Sequence, residues 1–387
     1  MQVPDDGRSR YPPALSEDHP WDSMKIGCKR WVAGCRFLAL RKRACFKCVL
    51  TAMCAFLLFS AILRGGLNDD SNGPQKDNRI ALPPSVQPDT RNVLTDGWVA
   101  DEVPLRQQVL GSPMCPLEPP GLGTALVPPI DMVVNGSIAL DHTFLQNQTR
   151  KGGWWQPSHC QTMHHTAVII PYRDRAENLG VLLRYLHPML QRQLLHYRIF
   201  VAEQDGNGTY NKGRAMNSAF SIVRSLYPAY DCFVFHDVDM VPEDERNLYT
   251  CGDQPRHLSP AVDKLNYTLP YKELIGGVLA ISADQFINVN GYANVFWGWG
   301  GEDDDMYYRI AYKGYVIRRP PMTIGRYSML PHVKRTWISH KRTYDLLARW
   351  KSRQRVDGVS NIKYDLVSAQ SKPLYTHLLI RFDTAGF

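Results

Sequence analysis

Short apolar runs alternate with amphipathic helical stretches between residues 166 and 240, and this alternation constrains the fold more than any other feature of the chain. Three runs are typical of buried strands: 166–171, 197–203 and 231–240. Regularly spaced leucines over 176–191 and an apolar face over 212–226 indicate helices. Strand, helix, strand, helix, strand predicts an α/β fold with a Rossmann-like, mostly parallel sheet flanked by helices.

The third run leads into Asp237-Val238-Asp239, at the sheet edge where doubly wound folds bind ligands. Residues 171–175 and 204–212 would lie at the same edge. In an extended strand, alternation would point both carboxylates to one side and Val238 to the other. Two like charges so close favour a hard divalent cation, for which a nucleotide diphosphate is the natural partner. The alternative is a solvated turn that begins with two aspartates.

A second motif, F-W-G-W-G-G-E-D-D-D at 296–305, combines tryptophans and glycines with four consecutive acids. Acids at the start of a helix interact favourably with its positive end, which accounts for Asp304 and Asp305 on structural grounds. Glycines let a backbone approach a ligand, and aromatic faces stack on the C–H surfaces of sugars. The motif therefore predicts a carbohydrate site with carboxylates that can activate a hydroxyl group.

The apolar segment 44–63 has about the length that a bilayer requires. Eight lysines and arginines and no acids lie from Lys25 to Lys47, so much of the net charge of +8 is a topology signal rather than a nucleic-acid surface. A cleaved signal peptide is disfavoured by the long polar sequence before the segment, and a buried helix is the other alternative. We predict four regions: a cytosolic tail (1–43), a membrane anchor (44–63), a Pro- and Gly-rich stem (64–113) and a luminal domain (114–387).

Cysteines and glycosylation sequons agree with a luminal domain. Four cysteines lie in that part of the chain: Cys115, Cys160, Cys232 and Cys251. An even number in an oxidising compartment suggests two disulfides, for which three pairings are open. The sequons begin at Asn135, Asn147, Asn207 and Asn266, all on the predicted luminal side.

The chain resembles the β-1,4-galactosyltransferase family in four motifs that occur in the family's order: F-x-F-H-D-V-D-M-V-P, Y-K-E-L-I-G-G-V, W-G-W-G-G-E-D-D-D and P-L-Y-T. The similarity extends from about Cys115 to Phe387. It implies a GT-A fold, the use of Mn²⁺ and a UDP-sugar, and a type II protein of the Golgi membrane. It also implies the disulfide pairs Cys115–Cys160 and Cys232–Cys251.

By this resemblance, the ligands of Mn²⁺ are Asp239, Met329 and His332. A thioether is not the ligand that softness would select for Mn²⁺, so Met329 depends on the resemblance alone. The implied donor contacts are Pro171, Tyr172, Arg173, Asp174, Arg175, Tyr210, Asn211, Lys212, Val238, Asp239, Lys264, Leu274 and Trp299. Arginines at a strand end suit phosphate recognition. The family's usual phenylalanines and arginine are replaced conservatively at Tyr172, Tyr210 and Lys212.

The resemblance also implies a site for an acceptor that ends in N-acetylglucosamine (GlcNAc). Its residues would be Tyr271, Trp299, Gly301, Glu302, Asp303, Asp304, Tyr344 and Leu347. Asp303 is the candidate general base for the acceptor 4-hydroxyl, with Glu302 as a second catalytic residue. An α-linked donor and a β-linked product require inversion, hence a single in-line displacement. The family's usual arginine near the acetamide is Thr343 here, and 324–350 corresponds to a loop that closes over the donor.

Leu274 bears on which sugar is transferred. In galactose-transferring members the aligned position carries a tyrosine whose hydroxyl disfavours an N-acetyl group on the donor. Leucine removes that hydroxyl and the ring, and such a change is worth about 1–3 kcal/mol of discrimination. An aliphatic residue here resembles the invertebrate β-1,4-N-acetylgalactosaminyltransferases of the family. We therefore predict transfer of N-acetylgalactosamine (GalNAc) to GlcNAc on glycolipids or glycoproteins; neutral drift at this loop position is the alternative.

Other functions stay open at this point. The first alternative is galactose transfer, and a second is an inactive sugar-binding module, which would have no need of both metal ligands and a base. A metal-dependent phosphohydrolase would leave the aromatic and glycine motif unexplained. The expected partners are the UDP-sugar, the GlcNAc-terminated acceptor and the lipid bilayer, with no nucleic acid. The basic, cysteine-containing tail is a candidate site for a membrane protein partner.

Overall fold

The computed structural model describes residues 111–123, 149–331 and 339–382. The predicted tail and anchor, nearly all of the stem, and the sequons at Asn135 and Asn147 lie outside these ranges. Within them, no helix is both long enough and apolar enough to cross a membrane.

The strands follow one another in chain order as β1 (Trp154–Trp155), β2 (His165–Tyr172), β3 (His196–Gln204), β4 (Cys232–His236), β5 (Met240–Pro242), β6 (Arg256–His257), β7 (Ala261–Val262), β8 (Val278–Ser282), β9 (Arg326–Met329), β10 (Asp365–Ser371) and β11 (Thr376–Arg381). The α-helices are α1 (Ala176–Arg192), α2 (Lys212–Leu226), α3 (Ala283–Asn288), α4 (Glu302–Tyr312), α5 (His340–Ala348) and α6 (Trp350–Arg353). Short 3₁₀ helices cover Asp263–Leu265 and Val359–Asn361.

The main sheet has the strand order β10-β11-β3-β2-β4-β8-β6, with β1 paired to β3. Strands β11, β3, β2 and β4 pair in parallel, as the alternation of strands and helices predicts. The prediction of a mostly parallel sheet is wrong, however, because the other four pairings described within this main sheet are antiparallel. The sheet is mixed because β10 and β11 form an antiparallel hairpin and β8 is antiparallel to β4.

Two apolar layers cover the parallel centre of this sheet. Along β2, Ala167 and Ile169 belong to the layer that contains α2, while Val168 and Ile170 belong to the layer that contains α1. All four side chains are fully buried. A strand that is buried on both faces reads as a continuous apolar run, which explains why this part of the sheet was visible in the sequence.

Three strands, β5, β9 and β7, form a separate small sheet. Its antiparallel pair places Met240 opposite Met329. This pairing brings a segment from late in the chain beside the end of β4, where the D-x-D motif lies.

Both disulfides implied by the resemblance are confirmed. Cys115 is joined to Cys160, and Cys232 at the start of β4 is joined to Cys251. The first bond closes a loop of 45 residues and the second a loop of 19. Of the three pairings that the cysteine count leaves open, the structure therefore selects this one.

Candidate active site

The loops after β2 and β3 contact each other at the carboxyl edge of the sheet. Arg173 donates hydrogen bonds from Nη1 to the carbonyl of Gly208 at 2.5 Å and from Nη2 to that of Gln204 at 3.3 Å. Its guanidinium also lies 5.4 Å from the ring centroid of Tyr210. Pro171 and Tyr172 end β2, and Asp174 is exposed in a left-handed conformation (φ 50°). These predicted donor residues therefore lie together where the loops that follow β2 and β3 meet.

The D-x-D motif adopts a turn, so the prediction from strand alternation is wrong. Strand β4 ends at His236, and the amide of Met240 donates to the carbonyl of Asp237 at 3.2 Å. The two carboxylates consequently have different cationic partners. Oδ1 of Asp237 lies 2.7 Å from Nζ of Lys212, whereas Oδ2 of Asp239 lies 2.9 Å from Nη1 of Arg175. Val238 between them is buried.

Lys212 connects the donor and acceptor parts of the site. Its position at the start of α2 is secured by Asn211, which caps the helix by accepting from the amide of Arg214. The Lys212 ammonium lies 3.4 Å from Oε1 of Glu302 in addition to its contact with Asp237. Burial by itself lowers the pKa of Lys212, but Asp237, Glu302 and Asp303 together raise it well above its ordinary value. Lys212 is therefore a permanent cation at the centre of an acidic cluster.

Asp303 lies directly against the backbone of Gly276. A Cβ at position 276 would overlap Oδ2 of Asp303, so this approach requires glycine. Burial, and next the charge of Asp304, raise the pKa of Asp303 to about 6, against a smaller lowering by Lys212. A carboxylate with a pKa in this range is suited to act as a general base near neutral pH.

The predicted acceptor residues Tyr271 and Asp304 are in contact. The Tyr271 hydroxyl donates to Oδ1 of Asp304 at 3.1 Å. Burial raises the pKa of Asp304 to about 6, and the hydrogen bond from Tyr271 partly opposes this. Burial likewise raises the pKa of Glu302, while Lys212 lowers it. The first turn of α4 thus contains two carboxylates, Asp303 and Asp304, whose pKa values are raised to about 6.

The two tryptophans of the 296–305 motif have different environments. Trp299 is 50% exposed, as an aromatic platform for a sugar requires. Trp297 is buried, with the guanidinium of Arg214 lying 4.9 Å from its ring centroid. Only Trp299 is therefore available for stacking. The amide of Gly298 donates to the carbonyl of Tyr210 at 2.8 Å, which ties the motif to the donor loop.

Helix α5 packs beside the acceptor residues. A Cβ at Gly301 would lie 2.8 Å from Cγ2 of Thr343 and 2.7 Å from the ring of Phe296, so Thr343 touches the backbone just before α4. Tyr344 and Leu347 lie on the same helix and are half-buried. The structure thus brings α5 to the acceptor region through Thr343, which the sequence reasoning treated as a departure from the family.

The small sheet places the segments of two predicted metal ligands, Asp239 and Met329, next to each other. The amide of Leu330 donates to the carbonyl of Asp239 at 2.7 Å, and the amide of Met329 donates to Oδ1 of Asp263 at 2.9 Å. Lys264 extends from the same turn to the carbonyl of Leu330 at 3.2 Å. His332, the third predicted ligand, lies outside the described residues. Among those described, no group of three or more His, Cys, Asp or Glu side chains could hold a metal ion.

Sequence reasoning missed the partners that hold the site in place. Asp237 was noted in the motif but not as the partner of Lys212, and nothing marked Gly276 as the surface on which Asp303 rests. Arg319 was missed as well; its Nη2 donates to the carbonyl of Leu274 at 3.1 Å. The sequence contains one signal for these contacts. An acidic motif needs cationic partners, and the candidate lysines and arginines are far from it along the chain.

Two family profiles match the chain. One, described as the N-terminal region of glycosyl transferase group 7, covers residues 115–252, and one described as the N-terminal domain of galactosyltransferase covers 256–333. Mouse (Mus musculus) beta-1,4-galactosyltransferase 1 is 40% identical over 286 residues, which are 73% of this chain and 70% of the mouse protein. Human beta-1,4-galactosyltransferase 5 is 42% identical over 241 residues, 61% of each chain.

A solved structure shows the same fold. The catalytic domain of Drosophila beta1,4galactosyltransferase 7, in complex with xylobiose, superimposes with a TM-score of 0.51 at 27% identity and covers 57% of this chain and 95% of that domain. The fold is therefore a mixed α/β fold of the GT-A type. From the matching profiles, the identity with the mouse protein and this structural likeness, the chain belongs to the β-1,4-galactosyltransferase family and is a metal-dependent UDP-sugar glycosyltransferase.

Proposed function

We propose that the protein transfers GalNAc from UDP-GalNAc to the 4-hydroxyl of a terminal β-linked GlcNAc, with inversion at the donor carbon. The observation that carries the choice of donor is Leu274. This residue is half-buried in the loop that connects Tyr271, a predicted acceptor contact, to Gly276, against which Asp303 packs. The position that aligns with a galactose-selecting tyrosine thus lies in a loop that touches the candidate base.

The physical argument concerns the C2 substituent of the donor. A tyrosine hydroxyl near this substituent rejects an N-acetyl group by bulk and by leaving polar atoms unpaired. Leucine offers an apolar contact for the acetamide methyl and no hydroxyl. The expected difference in transition-state free energy between the two donors is about 1–3 kcal/mol. The middle of that range corresponds to a preference of more than about tenfold in kcat/KM.

Asp303 is proposed as the general base. Its raised pKa leaves it deprotonated at neutral pH while keeping it basic enough to accept the proton of the acceptor hydroxyl. Lys212, between Asp237 and Glu302, keeps the neighbouring carboxylates from repelling one another. Trp299 is proposed as the platform on which the sugar stacks.

The donor diphosphate is proposed to lie between Arg173, Arg175 and Lys212 and a Mn²⁺ ion. Asp239 and Met329 are suited to bind the same metal ion, because the hydrogen bond from the amide of Leu330 to the carbonyl of Asp239 places their segments side by side. Together with His332 they would supply oxygen, sulfur and nitrogen donors. When bound, the ion would stabilise the charge that develops on the departing UDP.

We also propose that residues 44–63 anchor the protein in the Golgi membrane with the catalytic domain in the lumen. The basic run before this segment supports that orientation. The two disulfides support an oxidising compartment, because such bonds are rare in the cytosol.

Galactose transfer is the second candidate function. The curated relatives reported above carry the name beta-1,4-galactosyltransferase, which favours UDP-galactose as donor. Acceptor preference is a separate matter. The xylobiose bound to the Drosophila domain is a ligand of that protein and does not identify the acceptor of this chain.

Donor competition tests the proposal. Initial rates of the luminal domain with UDP-GalNAc and with UDP-galactose would be measured at several donor concentrations, with a GlcNAc-terminated acceptor and Mn²⁺. We expect kcat/KM to favour UDP-GalNAc by about tenfold or more. Leu274→Tyr should shift the preference toward UDP-galactose, whereas Leu117→Tyr, at a side chain that is 70% exposed, should not. A clear wild-type preference for UDP-galactose would refute the choice of GalNAc.

A second measurement distinguishes an active transferase from a sugar-binding module without activity. Acceptor binding by calorimetry would be compared with UDP release in the presence of Mn²⁺. Binding of the acceptor without release of UDP from either donor would contradict the assignment of an enzyme.

A further inference from the structure

The loop from Lys272 to Gly276 is bound through its backbone carbonyls by residues outside the predicted site. Arg319 donates from Nη2 to the carbonyl of Lys272 at 2.7 Å and to that of Leu274 at 3.1 Å. Both bonds come from one guanidinium nitrogen, so the two carbonyls are held at a defined separation. Leu274 therefore depends for its position on a side chain more than 40 residues away in sequence.

The same guanidinium is connected to Gly276 through His257. Nε of Arg319 lies 3.1 Å from Nδ1 of His257, and Nε2 of His257 lies 3.0 Å from the carbonyl of Gly276. Since an arginine nitrogen only donates, Nδ1 must accept, and the ring proton belongs on Nε2, where it is donated to Gly276. Burial, and then the charge of Arg319, lower the pKa of His257 to about 3, so the imidazole stays neutral.

Ser259 adds a further bond at the same point. Its hydroxyl lies 3.2 Å from the carbonyl of Gly276 and accepts from the amide of Val278 at 2.9 Å. The carbonyls of Lys272, Leu274 and Gly276 thus all accept hydrogen bonds from side chains, while Gly276 also packs against Asp303. A shift of this backbone would move Leu274 and the support of Asp303 together.

We propose that Arg319 and His257 are positioning residues for donor selection, which hold Leu274 at a defined distance from Asp303. This inference rests on the proposed role of the loop in choosing the donor, but not on which donor is preferred. Neither residue needs to touch the substrate. A purely structural role would lower the rates with both donors by the same factor, whereas a positioning role changes their ratio.

Arg319→Lys is the first test, because lysine keeps the charge but cannot reproduce the arrangement of guanidinium donors. We expect the ratio of kcat/KM for UDP-GalNAc and UDP-galactose to move toward unity by about tenfold. The matched control is Arg318→Lys, at the adjacent exposed arginine, which should leave the ratio unchanged. Thermal unfolding of each variant reports whether the fold is retained.

A pair of substitutions at His257 keeps the test decisive if Arg319→Lys does not fold. His257→Gln preserves an oxygen that can accept from Arg319 and an amide that can donate to Gly276, so it should retain most of the wild-type ratio. His257→Leu removes both functions and should move the ratio. If the folded Arg319→Lys and His257→Leu variants keep ratios within roughly twofold of wild type, the inference is wrong. A wild-type preference for UDP-galactose would refute the donor proposal alone, since the ratio can still move.

Discussion

Arg175 donates a hydrogen bond of 2.9 Å from Nη1 to Oδ2 of Asp239, so the predicted metal ligand is paired with a predicted phosphate contact. Both side chains are largely shielded, with exposures of 16% for Arg175 and 11% for Asp239. A cation that binds Asp239 must share this carboxylate with Arg175 or displace it. The arrangement predicts that metal and nucleotide depend on one another.

Arg175→Gln should strengthen the binding of Mn²⁺ in the absence of nucleotide, because it removes a competing and repelling charge. The same substitution should raise KM for the UDP-sugar, since a contact to the diphosphate is lost. We expect changes of about tenfold in opposite directions. Calorimetric or paramagnetic titration with Mn²⁺ measures the first, and steady-state kinetics at saturating Mn²⁺ the second. Arg184→Gln, on α1, is the control, and weaker Mn²⁺ binding by Arg175→Gln would contradict the prediction.

The pKa of about 6 for Asp303 predicts an acid limb in the pH dependence of kcat/KM. A general base must be deprotonated, so activity should fall as the pH drops through this value. Asp304 raises the pKa of Asp303, and Asp304→Asn should therefore move the limb to lower pH by about one unit. Asp284→Asn, in the first turn of α3, serves as the control. An unmoved limb in Asp304→Asn would exclude Asp303 as the titrating base.

Lys212 predicts a shift of the opposite sign. Its charge lowers the pKa of Asp303, so Lys212→Gln should move the acid limb to higher pH. The substitution also leaves Asp237 and Glu302 without their shared cation, at a cost of about 2 kcal/mol in the free energy of unfolding. Lys212→Arg restores the charge, and arginine is the family's usual residue here, so the limb should stay at its wild-type position. The pH–rate profiles and a urea titration of the three proteins check both effects.

The sequence predicted the parallel centre of the sheet well because its signal is local. Helix α2 covers the predicted range of 212–226, and β2 and β3 each extend one residue beyond the predicted range at both ends. The antiparallel strands β6 and β8 were not predicted because two or five residues carry too little periodicity. The D-x-D motif was placed in a strand because nothing local shows that Asp237 leaves the ladder to form a turn.

The site was predicted as a set of residues but not as a set of contacts. Lys212 and Glu302 are 90 positions apart in sequence, and only the fold shows that they meet at 3.4 Å. The approach of Asp303 to Gly276 is equally non-local. Their contacts depend on how helix starts and loops converge at one sheet edge, which residue spacing along the chain does not encode.

A closed arrangement of two acids and two arginines joins α4 to the end of α6 and the segment that follows it. Arg309 Nε lies 2.5 Å from Asp305 Oδ1, and Arg353 Nη2 lies 2.7 Å from Asp305 Oδ2. Arg353 Nη1 and Arg309 Nη2 lie 2.6 Å and 3.8 Å from Oδ2 of Asp357. Arg353 also donates to the carbonyl of Leu346 at 2.8 Å, on the helix that carries Tyr344 and Leu347. The last acid of the 296–305 motif is thus structural.

Arg353→Gln should both destabilise the protein and weaken acceptor binding. Removing one arginine leaves Asp305, which is fully buried, with a single cationic partner, and we expect a loss of about 2 kcal/mol in the free energy of unfolding. Because the bond to Leu346 is also lost, α5 is no longer fastened beside Gly301, and KM for a GlcNAc acceptor should rise by roughly tenfold. KM for the donor should change much less, since the contacts of Arg353 described above are with Asp305, Asp357 and Leu346 and not with Arg173 or Arg175, the two arginines that follow β2. Arg355→Gln, at an exposed arginine two residues away, should change neither the free energy of unfolding nor KM for the acceptor. Equal increases in the two KM values would show that Arg353 acts on the whole site rather than on the acceptor helix.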